Sequence, residues 1–156
     1  SLESGSPSIH PSHSSSMSFE LHPRLSKGCH MIGKSGSCLI LLKDNAAFPW
    51  ILLVPEVDDG IEDLHQLPTG QYTEVLFIIR QVSEFMSSYF RPEKLNVACI
   101  GNQVRQMHIH LVARSSNDPA WPGTVWASDV KSRYDAKTVI DICVRARIDL
   151  GLNEPT

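Results

Sequence analysis

The sequence predicts an α+β domain built on an antiparallel sheet. Three observations carry that reading. Short apolar runs of strand length fill the first third of the chain, one long segment repeats apolar residues at three- and four-residue steps, and the order is strands, helix, strands, helix. With 156 residues, 42% hydrophobic and 20% charged, the chain suits one globular core.

Residues 1–16 are rich in Ser, Pro and His and nearly lack large apolar side chains, so they read as a disordered or appended leader, with Met17 as the start of the natural chain. The domain, 17–156, begins in earnest near Phe19. Cys29–Ile32 is the first strand, Gly33–Gly36 a turn, and Ser37–Lys43 the second strand. Asp44-Asn45 is a loop. Pro49–Pro55 is a third strand, apolar throughout and so buried on both faces, closed by a proline that has no N–H for the ladder. Ile61–Leu67 carries a helical turn. Gln71–Phe90 is the long helix, with Val75, Ile78, Ile79, Val82, Phe85, Met86 and Tyr89 as its apolar stripe, and Arg91-Pro92 ends it. Leu95–Ile100 and Val104–Ala113 are the fourth and fifth strands, joined through a Gly101-Asn102 turn. Ser115–Ser128 is ordered but irregular. Ala136–Gly151 is the closing helix, stopped by Gly151.

Composition excludes several roles. A net charge of −3 gives no basic field to hold long nucleic acid. No apolar run reaches the roughly 20 residues of a membrane span. Cys29, Cys38, Cys99 and Cys143 form no CxxC pair, which argues against a zinc ribbon and for reduced, mostly buried thiols in a cytoplasmic protein.

The chemistry concentrates in Gln106-Met107-His108-Ile109-His110-Leu111. On a strand, alternation sends Gln106, His108 and His110 to one face and Met107, Ile109 and Leu111 to the other. A neutral imidazole is a nucleophile near pH 7, and a second one two residues on can hold a phosphate oxygen or move a proton. From the residues alone two other readings stand beside this one: a polar sheet surface, and a metal pair drawing a third ligand from His65 or Asp44. Gly101, Asn102 and Gln103 precede the histidines. They could bring amide donors to phosphate oxygens or make an ordinary hairpin turn.

Asn96 through Val112, with Asp44 through Pro55 and Asp118 through Trp126, resembles the histidine-triad (HIT) family, and more narrowly a bacterial branch with a GN-x-V-x-Q-x-H-x-H motif. The resemblance spans about Phe19 to Trp126. It implies a five-stranded antiparallel sheet with one long central helix and a C-terminal helix, usually in a homodimer. It also implies hydrolysis or transfer at the α-phosphate of a nucleoside phosphoramidate or dinucleoside polyphosphate, with a small-molecule nucleotide as partner and no cofactor. By carry-over, His108 is the residue that becomes nucleotidylated and His110 the last member of the triad. Gln106 stands where the first histidine would be. Asp44 matches the residue that contacts ribose hydroxyls, and Asn96 one near the phosphates. Gln103 takes the place of a phosphate-binding serine, and Trp121 that of an aromatic residue shaping the site. Two alternatives accompany this expectation: a catalytically weak nucleotide-binding or regulatory protein, motivated by Gln106 and Glu56, and a metal-dependent hydrolase using His108 and His110.

Overall fold

The computed structural model describes residues 19–155, so the reading of 1–16 as a leader and of Met17 as the start lies outside the described residues. Five strands, β1 (Cys29–Ser35), β2 (Cys38–Lys43), β3 (Trp50–Pro55), β4 (Lys94–Ala98) and β5 (Ile109–Arg114), form one antiparallel sheet in the order β1-β2-β3-β5-β4. A short helix, α1 (Pro23–Ser26), precedes them. The long helix α2 (Thr69–Phe90) connects β3 to β4, and α3 (Ala136–Leu150) closes the domain. The sequence reading contains every strand and both long helices, but not α1.

Alternation divides the sheet into two faces. Ile40 and Leu42 of β2, Ile51 and Leu53 of β3, and Ile109 and Leu111 of β5 pack against Val75, Ile78, Val82 and Phe85 of α2 and Ile142 and Ala146 of α3. Leu41, Trp50, Leu52, Val54 and Val112 form a second apolar cluster on the opposite face, with Leu25 of α1 and Val125. That β3 serves both clusters explains its uninterrupted apolar run. Tyr89, assigned to the stripe of α2, is 39% exposed at the helix end.

Three boundaries differ from expectation. β1 runs to Ser35 through a register irregularity between Met31 and Gly33, and the turn contracts to Gly36-Ser37, with Gly36 at φ 54°. The irregularity leaves the carbonyls of Met31 and Ile32 to accept from the Arg147 guanidinium of α3, at 3.2 and 2.8 Å. β4 ends at Ala98 rather than Ile100. β5 starts only at Ile109, because the ladders run out: Leu53↔Ile109 and Ala98↔His110 are the last pairs. Residues 99–108 thus form a connection, not half of a strand. All four cysteines are free thiols; Cys38 and Cys143 are buried, and Cys29 and Cys99 half-buried.

Candidate active site

His108 and His110 stand together at the start of β5, their rings 4.7 Å apart between centroids. Leu41, Leu52 and His110 lie in one row across β2, β3 and β5, which puts the histidines on the face opposite α2 and α3. His108 Nδ1 lies 2.7 Å from the Gln106 carbonyl oxygen. A carbonyl only accepts, so Nδ1 carries the proton and Nε2 the lone pair. Burial holds the His108 pKa below its ordinary value, although the Gln106 carbonyl favours the charged ring. His110 Nδ1 accepts from the Trp50 indole N–H at 3.1 Å, so neutral His110 carries its proton on Nε2. Burial, reinforced by the charges of His108 and Lys43, pushes its pKa down to about 3. Near pH 7 the site therefore presents one imidazole with a lone pair at Nε2 and one with a donor there.

Trp50 and Trp126 wall His110, at 5.6 and 5.4 Å between ring centroids, and are edge-on to each other at 6.0 Å. The strand run of Trp50 reads as core, and the residue is indeed buried. Its indole N–H has a further role, fixing the tautomer of His110, that apolar periodicity does not reveal.

The other expected site residues divide. Gln106 lies in the connection before β5, and its amide is spent on the amino-terminal segment: Oε1 accepts from the His22 N–H and Nε2 donates to the Glu20 carbonyl, both at 2.8 Å. It does not share a strand face with the histidines. Gln103 Oε1 accepts from the Arg24 guanidinium at 3.4 Å. Asn102 is exposed in the same connection. Phe19, His22, Val57, Gln103, Arg105 and Gln106 are among the residues lining a 710 Å³ cavity, whose lining stops two residues short of His108. His108 and His110 are only 6% and 7% exposed. Asn96 sits on the histidine face of β4, opposite Val112, and its Oδ1 accepts from Arg114 at 2.9 Å. Arg114 is fully buried and also binds Asp118 at 2.8 Å, which holds that carboxyl down to about 2.

Asp44 and Trp121 fall elsewhere. Asp44 follows β2 by one residue, and its carboxylate accepts from the Tyr134 N–H and from Arg133 at 3.1 and 3.2 Å, with His30 Nε2 at 3.4 Å. Burial opposes ionisation there, but these partners outweigh it and hold the carboxyl below the usual range. Together with Ala136, Val139 and Ile140 these residues border a separate 460 Å³ cavity against α3. Trp121 is 37% exposed and lies over Arg114 at 5.5 Å, not beside the histidines; Trp126 takes that place. Glu56 is paired with Lys34 at 2.9 Å. Among the described residues no group of three or more His, Cys, Asp or Glu converges to hold a metal, so Asp44 and His65 give the histidine pair no third ligand.

The residue that sequence reasoning passed over is Lys43. It shares the face of Leu41, and its ammonium lies 4.6 Å from the centre of the Trp50 ring. The signal was present, since counting by two from Leu39 reaches Leu41 and then the charged Lys43.

A HIT domain model matches residues 24–117. A histidine triad protein from Marinobacter aquaeolei is 37% identical, with 85% of this chain and 96% of that one covered at a TM-score of 0.81. A histidine triad protein from Bradyrhizobium japonicum is 32% identical (84% and 97% covered), and one from Sinorhizobium meliloti is 30% identical (85% and 97% covered), both at TM-score 0.81. No curated protein matches the sequence.

Proposed function

Since the chain belongs to the HIT domain family, we propose that it hydrolyses or transfers a nucleotide through a covalent nucleotidyl-His108 intermediate. The observation that carries this reading is the Nδ1–Gln106 carbonyl contact, which fixes His108 in the tautomer whose Nε2 can attack. In the first step Nε2 bonds to the α-phosphorus while the bond from phosphorus to the leaving group breaks, and the leaving group departs with the electron pair, an amine taking a proton from solvent as it does so. In the second, water attacks phosphorus and gives up one proton to solvent, the phosphorus–nitrogen bond breaks, and a nucleoside monophosphate leaves as His108 regains its lone pair. His110 Nε2–H donates to a non-bridging oxygen in both steps. Asn102, Gln103 and the Nδ2 amide of Asn96 supply further donors. Gln106 acts through the backbone it holds, while the Asp44 carboxylate is taken up by Arg133, Tyr134 and His30. The substrate is a nucleoside phosphoramidate or a dinucleoside polyphosphate.

The test is turnover of an adenosine phosphoramidate and of a dinucleoside tetraphosphate, with and without chelator. His108→Ala is expected to lower kcat by at least about 10³-fold while nucleotide binding persists. Wild-type rates in that variant would remove His108 from the mechanism. A second reading, a nucleotide-binding protein with weak turnover, is favoured by Gln106, whose amide faces the amino-terminal segment instead of the site. The same assay identifies it as tight binding without product.

A further inference from the structure

The reading above gives a nucleophile and a donor for a non-bridging oxygen, but no group for the charge that collects on the departing atom. Gln106, in the place of a first histidine, does not serve, because its amide is bonded to the Glu20 carbonyl and the His22 N–H. That same residue joins a third imidazole to the pair. Its main-chain carbonyl accepts from His108 Nδ1 at 2.7 Å, and its Oε1 accepts from the His22 N–H at 2.8 Å. Burial chiefly lowers the His108 pKa, and the charge of His22 acts in the same direction, so the two rings lie within electrostatic reach of each other. Arg24 fastens the segment a second time, donating to Gln103 Oε1 at 3.4 Å. His22, Gln103 and Gln106 line the same 710 Å³ cavity.

The His22 ring is itself fixed. It caps α1, with Nδ1 accepting from the Arg24 N–H at 3.1 Å, so the neutral ring carries its proton on Nε2. Asparagine, aspartate or serine is the usual residue for such a cap. An imidazole there adds a donor at Nε2, and among the described residues that donor has no hydrogen-bond partner. We propose that His22 is the leaving-group donor, its Nε2–H hydrogen-bonding the bridging oxygen as the bond from the α-phosphorus to that oxygen breaks. The electron pair goes to the oxygen and the proton stays on His22, which acts by stabilising the developing charge. This rests on the nucleotidyl-His108 reading above and adds the residue on its leaving-group side.

The test is kcat/KM for adenosine 5′-monophosphate esterified to phenol or to the more acidic p-nitrophenol. Phenol, with a pKa of about 10, leaves as a poorly stabilised anion and needs the donor; p-nitrophenolate spreads its charge over the nitro group. Both esters give the same nucleotidyl-His108, so a difference between them belongs to the first step. His22→Asn and His22→Ser keep a capping oxygen for the Arg24 N–H and remove the imidazole. Each is expected to lower kcat/KM at least about 30-fold on the phenyl ester and under about threefold on the p-nitrophenyl ester, as loss of a donor to developing charge does. A purely structural role would lower both alike. Equal losses, no loss, or failure of both variants to fold overturns the assignment of His22 and leaves His108 untouched. A wild type inert towards both esters sinks the nucleotidyl-His108 reading itself.

Discussion

At the scale of single residues, the site is defined by two imidazoles kept neutral by burial. For His110 this has a consequence for stability. Its folded-state pKa lies at about 3, against an ordinary value of 6.5. As pH falls below the ordinary value, the unfolded chain takes up a proton that the folded protein refuses until about pH 3. Stability is therefore lost as pH falls through that interval, by at most about 1.4 kcal/mol per pH unit for one such group. Urea unfolding between pH 7 and 5 should show this slope, and His110→Gln should reduce it by about one proton; an unchanged slope in that variant would show that His110 is not buried in its neutral form. For His108 the same direction of shift implies that turnover persists somewhat below pH 6.5 and fails as the ring becomes protonated. The sequence revealed the histidine pair, but not that Trp50 holds the tautomer of one member, because a side chain reaching across strands leaves no mark in periodicity.

At the scale of elements, strands and helices were largely legible because each has a face to bury. β2, β3 and α2 were recognised from apolar spacing alone, within two residues at each boundary. The start of β5 was not. Gln106 through His108 alternate like a strand, but a strand also needs a partner: β4 stops at Ala98, opposite His110, and the last two residues of β3, Val54 and Pro55, pair with β2 alone. Lys43 and Asp44 divide on a finer point. One residue separates them, and one residue on or just after a strand is the difference between the two faces of a sheet. Gln106 also joins two elements, clamping the Glu20–His22 backbone to the connection before β5. Gln106→Ala should destabilise the fold by about 1–2 kcal/mol, as loss of a two-bond amide does. It should also raise amide exchange at Leu21 and His22 far more than in α2. Uniform exchange across both regions would mean that Gln106 does not clamp this segment.

At the scale of the whole molecule, the sheet separates a structural face, covered by two helices, from a chemical one, covered by α1 and the 115–128 segment. No helix among the described residues is long and apolar enough to cross a membrane. Leu76 and Phe77 on α2 and Val97 on the edge strand β4 are large apolar side chains left exposed, as residues at an interface between copies would be. We expect a homodimer by light scattering at micromolar concentration and a shift toward monomer in Phe77→Glu; a monomeric wild type would sink this expectation. The ring cluster has one more use. Two of the three tryptophans, Trp50 and Trp126, pack against His110, and the remaining one, Trp121, rests on Arg114. Two indoles thus sit beside His110, and in a Trp121→Phe variant the tryptophan emission would come from this cluster alone, a label-free optical gauge of whatever binds there.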